Sequence, residues 1–371
     1  YGLGANGLEA AAVLKIFEAK GRPLNDPCIL HVPGPEAALE LLDLDDLERA
    51  VFGHLAGACW PGPLSIVARA RPVVPREVTA QTDFVAVRAP CHPVALELLR
   101  AAGVPVAAPS ANRFGHISPT TPEHVAEDLG HVEGLKILDG GPCGVGIEST
   151  VVKLDLARRR IVVLRKGGTT GERLERVLAE GSGVFGAEVR LEFHSKHGDK
   201  AERPEASPPA MTAEGAAPRA EDDEAQQAPG MMLRHYAPAL PTFLLSVGAR
   251  VTGEARASTS AAPGEISQAV LVDFGGRLQE HARHFLRSFD LCVAAGPEGR
   301  SEAEEACRAV FATLRAAEAF AQSSGAQLIC IADFEAQGGY AEALHDRLFR
   351  AASGRRLLLA PGVAPALVAA P

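Results

Sequence analysis

The sequence has no apolar run long enough for a membrane span. Its nearest candidate, Leu357 to Pro371, is broken by Pro361, Gly362 and Pro365, whereas a spanning helix needs about 20 apolar residues. It has no basic excess: 37 Lys and Arg stand against 46 Asp and Glu, a formal net charge of −9. A protein whose main task is to hold a phosphate backbone carries the opposite balance. No CxxC occurs among the seven cysteines, which scatter over positions 28, 59, 91, 143, 292, 307 and 330. That pattern argues against a disulfide framework or a zinc site, and predicts mostly buried thiols in a reducing compartment. The phosphate loop GxxxxGK[ST] and the nucleophile elbow GxSxG are both missing, so a Walker-type ATPase and a serine hydrolase are set aside. A signal-peptide pattern and an initiator Met are missing too, since the chain opens Tyr1-Gly2-Leu3-Gly4. The expectation is that the true N-terminus lies upstream and that any targeting segment lies there with it.

What is present is globular. A length of 371 residues, 47% hydrophobic and 22% charged, fits two domains. Residues 1–182 alternate helical and strand patterns. Leu8 to Lys20, Asp45 to Ala58, Pro93 to Ala102 and Thr170 to Ala179 read as helices, and Thr121-Pro122 opens another. Cys28–Val32, Leu64–Ala68, Phe84–Val87, Val104–Ala108, Lys136–Leu138, Ser149–Leu154 and Ile161–Leu164 read as strands. Residues 183–238 form a linker. Its middle, about 195–228, is rich in Ala, Pro, Glu and Asp and buries too little to offset its ordering entropy, so it is expected to be disordered. From 239 to 355 strands (Thr242–Val247, Ala269–Phe274, Leu291–Ala294, Leu328–Ala332) alternate with helices (Glu302–Ser323, Tyr340–Ala352), which predicts a parallel sheet covered by helices. Residues 356–371 read as a flexible tail.

Several short segments can carry chemistry. Lys20-Gly21-Arg22 places two cations around a helix stop, either as ordinary dipole compensation or as an anion clamp. Ala108-Pro109-Ser110-Ala111-Asn112 ends a strand in small polar residues, where open α/β sheets place ligands, although an isolated SxN is more often a plain turn. Asp139 to Thr150 holds four glycines within seven positions and allows close backbone approach, or is a flexible hairpin. Arg165-Lys166-Gly167-Gly168 is a cationic strand end or a solvated loop. Arg234-His235-Tyr236 sits directly before the second domain. Alone, His31 reads as a satisfied strand histidine and Arg88 as a sheet-edge charge.

Their order is more specific than any one of them. YGLGANGLEAAAVLKIFEAKGRP, CILHV, WPGPLSIV, VAVRAPCHP, APSANRFGHISPTT, ILDGGPCGVGIEST, LRKGG and HYAP together resemble the YrdC/Sua-type threonylcarbamoyl-AMP synthases, nearly continuously over residues 1–182. HYAP and the second α/β region resemble the two-domain Sua branch. The resemblance implies a YrdC-like twisted mixed sheet with flanking helices, plus a smaller Rossmann-like α/β C-terminal domain. It implies synthesis of threonylcarbamoyl-AMP and pyrophosphate from L-threonine, bicarbonate and ATP, with Mg2+ on the triphosphate and no dedicated metal site. A separate transferase complex then modifies tRNA, which is thus an indirect partner. The setting implied is the cytoplasm, with no membrane, or a mitochondrion if a leader precedes the chain. By the same resemblance Lys20 and Arg22 are catalytic. Arg22, Asp26, Ser110, Asn112, Ser118, Arg165, His235 and Tyr236 face ATP. His31, Arg88, Ala108 and Ser149 form the threonine pocket, and the His235 segment folds over the first domain as a lid.

Three departures stand out. The Pro-Thr-Glu-Thr strand that precedes the equivalent of Tyr1 in the family is missing, so the chain as it stands is expected to be impaired. Asp26 replaces a usual Asn, an unfavourable acid beside a triphosphate unless it meets a donor or magnesium, and Phe84 replaces a small hydroxyl residue. The linker is long, with an acidic stretch around Glu221 to Glu224. An alternative reading is a YrdC-like module for tRNA or double-stranded RNA without synthase activity, in which Lys20, Arg22, Arg88 and Arg165 grip phosphates. A hydrogenase-maturation carbamoyltransferase domain is a third, opposed by the lack of acylphosphatase-type or zinc-finger segments.

Overall fold

A short N-terminal strand, β1 (Ala5–Asn6), leads into α1 (Ala10–Lys20), whose Val13, Ile16 and Phe17 recur on one buried face. The helix stops because Gly21 takes φ 62° and returns its N–H to the last turn, a conformation glycine enters without a Cβ clash. The fold is taken from a computed structural model that describes residues 1–186, 188–194, 226, 235–247, 265–291, 300–360 and 366–369. After α1 come β2 (Ile29–His31), α2 (Pro35–Leu39), α3 (Asp46–Cys59), β3 (Leu64–Arg69), β4 (Phe84–Arg88), α4 (Pro93–Ala102) and β5 (Val106–Ala107). Then follow α5 (Pro122–Leu129), β6 (Thr150–Asp155), β7 (Arg160–Arg165), α6 (Gly171–Phe185) and β8 (Arg190–Phe193). Helix α3 starts at a reciprocal capping box between Asp45 and Glu48, and Thr121 and Thr170 cap α5 and α6, each satisfying an otherwise orphaned amide. The strands form one mixed sheet in the order β1-β5-β2-β4-β3-β6-β7-β8.

The second region holds β9 (Thr242–Val247), β10 (Ala269–Asp273), β11 (Arg287–Asp290), α7 (Glu302–Ser324), β12 (Leu328–Ala332), α8 (Gly339–Ala351), β13 (Arg356–Ala360) and β14 (Ala366–Ala369). Its sheet runs β11-β10-β12-β9-β13-β14, parallel except for the last pair. The buried strand β12 and the first four residues of β10 are apolar throughout, as a parallel sheet covered on both faces requires. The apolar cluster beneath α7 also takes in Ile117 and Ile147 from the first region and Tyr236 from the linker.

Several expectations are corrected. Lys136–Leu138 forms no strand, and Ile137 and Leu138 are exposed. An apolar pair is not enough where no neighbouring strand is free to receive it. Of the strand expected at Leu291–Ala294 only Leu291 is described, the rest lying outside the described residues; directly before it runs β11, a polar edge strand at Arg287–Asp290 that apolar patterning does not reveal. The first region does not end at 182: α6 continues to a buried Phe185, and β8 adds an eighth strand. The middle of the linker, expected to be disordered, and its acidic stretch fall outside the described residues, apart from Gln226, whose amide donates to the Asn25 carbonyl at 2.8 Å.

The tail reading is also overturned. Residues 356–360 form β13, parallel to β9, and β14 folds back on it, burying Leu357, Leu359 and Leu367. Fully burying a leucine is worth about 1.5–3 kcal/mol. Removing residues 356–371 is expected to cost about 5 kcal/mol and to lower the melting temperature by about 10 °C or more. An unchanged melting curve for the shortened chain would restore the tail reading.

Candidate active site

The end of α1 delivers Lys20 into the interior, where its Nζ donates to the backbone carbonyls of Ser110 and Asn112. The turn after β5 presents those carbonyls because Asn112 Nδ2 donates to the carbonyls of Arg113 and His116 at 2.8 and 2.9 Å. The Phe114 amide in turn donates to the Lys20 carbonyl at 2.9 Å. Burial, then the Arg22 charge, push the Lys20 amine down to about 7, with Asp26 opposing. Arg22, set beyond the left-handed Gly21, donates from Nε to the Asp26 carbonyl at 3.0 Å and from Nη2 to the Pro27 carbonyl at 2.6 Å. The same Nη2 lies 3.0 Å from Asp26 Oδ2. The acid that departs from the usual pattern has therefore met its cation. Burial still raises the Asp26 carboxyl, against the pull of Arg22, Lys20 and Arg165.

A second group forms across the sheet. Parallel register places His31 directly beside Arg88. Arg88 Nε donates to the Gly62 carbonyl at 3.0 Å, and His31 Nδ1 is 3.2 Å from the Ile29 carbonyl. Burial, then Arg88, push His31 down to about 3, leaving a neutral ring, while burial lowers Arg88 to about 10. Ser149, just before β6, shares a 2.8 Å hydrogen bond with Ser65. Arg165, ending β7, donates to the Ser149 carbonyl at 3.1 and 2.9 Å and to its hydroxyl at 3.1 Å. Ser118 donates to Glu148 Oε1 at 2.8 Å, and Glu148 accepts in turn from Arg347 Nε at 3.1 Å.

The linker residues close the arrangement. His235 meets the Phe114 ring edge-on at 6.4 Å and the Tyr236 ring at 4.1 Å. Burial, then Arg22, Arg350, Arg165 and Lys20, drive its ring well below the ordinary histidine range. Tyr236 is fully enclosed at φ 62°, 5.2 Å from the Phe311 ring, and burial lifts its hydroxyl to about 12. The Ala237 amide fastens this segment to the Gly115 carbonyl at 2.9 Å.

Direct contacts thus join Lys20 with Ser110 and Asn112, Arg22 with Asp26, and Ser149 with Arg165, and Ser118 joins through Glu148. Ser110 contributes its carbonyl here. Ala108 donates its amide to the Ile29 carbonyl at 3.1 Å, beside the His31 strand. Phe84 stands apart, its ring 3.7 Å beneath Lys153 Nζ within a separate apolar cluster. The glycine-rich segment also differs from its reading as a ligand loop. A Cβ at Gly146 would come within 2.3 Å of Arg308 Cα, so its freedom is used to dock α7. Glu148 and Arg347 escaped sequence reasoning. Glu148 is signalled only by preceding Ser149, and Arg347 looks like an ordinary helix-surface arginine.

Chemically, the buried cations Lys20, Arg22 and Arg165 suit a compact polyanion. Six buried polar atoms around them lack hydrogen-bond partners among the described residues: Asp26 Oδ1 and Oδ2, which meet Arg22 as an ion pair only, Asn112 Oδ1, His235 Nδ1, Tyr236 Oη and Arg347 Nη2. Native interiors seldom leave such atoms unmatched, and each asks for an explanation such as a ligand or water. Among the described residues no group of three or more His, Cys, Asp or Glu is placed to hold a metal ion, and no helix is long and apolar enough to cross a membrane.

Residues 1–167 match the family described as "Telomere recombination", and residues 170–353 match that described as "Threonylcarbamoyl-AMP synthase, C-terminal domain". The threonylcarbamoyl-AMP synthase of Pyrococcus abyssi is 41% identical over 246 residues, which are 66% of this chain and 61% of that protein. That of Bacillus subtilis is 47% identical over 186 residues, 48% of this chain and 50% of that protein. The chain thus spans about half to three-fifths of the length of these relatives. The crystal structure of P. abyssi Sua5 complexed with L-threonine is 33% identical and superposes with a TM-score of 0.68, covering 98% of this chain and 90% of that one. The chain belongs to the threonylcarbamoyl-AMP synthase family, in its two-domain form.

Proposed function

We propose that this chain joins L-threonine, bicarbonate and ATP into threonylcarbamoyl-AMP, releasing pyrophosphate. The observation that carries this reading is that three buried cations, Lys20, Arg22 and Arg165, all act on the Asp26 carboxyl and the His235 ring, near polar atoms that lack hydrogen-bond partners among the described residues. The chemistry needs no enzyme nucleophile. The threonine nitrogen attacks the bicarbonate carbon and water leaves, giving a carbamate. A carbamate oxygen then forms a bond to the α-phosphorus, and the bond from that phosphorus to the β-bridging oxygen breaks. Both partners of the second step are anions, so positioning and charge neutralisation dominate. Lys20 and Arg22 neutralise the phosphates and the carbamate. Arg165 adds a second cation, and Asp26, Ser110, Asn112 and Ser118 frame the nucleotide. Arg88 takes the threonine carboxylate, Ser149 a threonine oxygen, and the backbone at Ala108 the amine. A neutral His31 adds no further charge beside Arg88. His235 and Tyr236 exclude water from a hydrolysable intermediate. Mg2+ enters with ATP as part of the substrate, held by phosphate oxygens and water. The product passes to a separate transferase complex that modifies tRNA, in the cytoplasm or, if a leader precedes the chain, in a mitochondrion.

Burial counts against direct RNA binding, because Lys20, Arg22 and Arg165 are enclosed, whereas a phosphate backbone is gripped by exposed cations. In the decisive assay, pyrophosphate release from ATP is followed with threonine and bicarbonate supplied or withheld in turn. Release is expected to fall to background when either is withheld. ATP cleavage indifferent to threonine would remove the synthase reading.

A further inference from the structure

We infer that Arg347, on α8 of the second domain, is a positioning residue for the nucleotide half of the site, an inference that rests on the synthase reading above. Its side chain is 0% exposed, among the largest fully buried side chains of the described residues. Burying a guanidinium costs several kcal/mol, and an apolar side chain of similar volume often packs an interface as well or better. Docking alone therefore gives little reason for an arginine at this place.

Its contacts supply a reason. Nε donates to Glu148 Oε2 at 3.1 Å, and Nη1 donates to the Lys166 carbonyl at 2.6 Å and to Asp346 Oδ2 at 3.1 Å. The guanidinium carbon lies 5.5 Å from the centre of the Tyr236 ring, within cation–π range. Apart from its neighbour Asp346, each partner belongs to the nucleotide set or is one step from it. Glu148 accepts from Ser118, Lys166 follows Arg165, and Tyr236 carries the lid beside His235. One side chain from the second domain thus fixes three separate segments of the first domain and the linker. Arg347 Nη2 and Tyr236 Oη are also both buried without a hydrogen-bond partner among the described residues, so this corner of the site is built with polar capacity left over.

The same helix offers an internal control. Tyr340 donates to the Gly168 carbonyl at 3.2 Å, and Glu342 pairs with Lys166 Nζ at 2.7 Å. Both dock α8 on the first domain without touching Ser118, Glu148 or Tyr236 in any contact described above. Arg347→Met is expected to raise KM for ATP and to weaken MgATP binding in calorimetry by about tenfold to a hundredfold, the range that misplacement at a distance produces. KM for threonine should stay within about twofold of wild type. Arg347→Lys should recover part of the loss, since it restores charge but not the fork. Glu148→Gln, which keeps an acceptor for Ser118, should reproduce the ATP defect and serves if Arg347→Met does not fold. The double variant Tyr340→Phe/Glu342→Gln should lower the melting temperature without shifting KM for ATP. Equal ATP defects in Arg347→Met and in this control, or an unchanged ATP affinity in a folded Arg347→Met, would overturn the inference. A wild-type chain that binds MgATP but shows no threonine-dependent turnover would overturn the synthase reading instead, and the binding comparison would still decide the role of Arg347.

Discussion

Lys20→Met lowers threonine-dependent turnover by about 10²–10³, the usual cost of losing one preorganised donor to developing charge. The stability change is small, because two effects oppose. The carbonyls of Ser110 and Asn112 lose their donor, while the cost of burying an amine disappears. The wild type also carries a pH signature. With the amine pushed down to about 7, the free protein holds a cation there below that pH and a neutral amine above it. Affinity for an anionic nucleotide therefore weakens as pH rises through 7, by up to about tenfold per unit. Stability moves the other way: between about 7 and the ordinary lysine value the unfolded chain holds the extra proton, so stability rises with pH across that interval. KM for ATP measured from about pH 6 to about pH 9 should climb in wild type and stay level in Lys20→Met. A level wild-type profile would take Lys20 out of the phosphate site.

Among single substitutions, Arg315→Met has the largest expected effect on stability. Arg315 Nη2 donates to the Ile117 carbonyl and to Asp128 Oδ2, the latter at 2.7 Å, and the Asp128 side chain is 2% exposed. Removing one member of a buried ion pair costs about 3–5 kcal/mol. His116, 3.0 Å from Asp128 on one side and 2.9 Å from Glu318 on the other, still compensates the acid, so the lower end, about 3 kcal/mol, is expected. In melting experiments that amounts to about 6–10 °C, and a loss below about 1 kcal/mol would mean that the pair stabilises no more than a surface one. The pH window follows from the two shifts. Burial pushes the Asp128 carboxyl up, but His116 and Arg315 outweigh it and hold it near 2. This contribution is present above the ordinary aspartate value and is lost as pH falls toward 2. Burial opposes the His116 proton, but Asp128 and Glu318 together raise it. That contribution is complete below about pH 6.5 and is lost as pH climbs through the raised value. The joint is tightest from about pH 4 to about pH 6.5.

Local chemistry was legible in the sequence where it acts locally. Gly21 as a helix stop, Thr121-Pro122 as a start and the apolar runs of β9 and β12 depend on a few neighbouring residues, and the structure has them in place. Readings that depended on distant partners went wrong. Ile137 and Leu138 find no strand to join, while the apolar 357–359 run finds β9 more than a hundred residues earlier in the chain. The polar strand β11 is held by its place at the sheet edge. In the site, the separate anion-clamp and turn segments meet directly, Lys20 Nζ on the carbonyls of Ser110 and Asn112. Arg347 was invisible, because nothing in GYAEALHDRLFRA marks one arginine as buried. Its partner Glu148 lies 199 residues away.

The apolar cluster shared by α7, Ile117, Ile147 and Tyr236 ties the two halves together. A substitution on α7 that changes side-chain volume is felt at once in the segments that carry Ser118, Glu148 and Tyr236. A chimera joining the first half of one relative to the second half of another would keep both sets of side chains and still mismatch at this seam, where apolar shape and the Arg347–Glu148 and Arg315–Asp128 pairs must fit together.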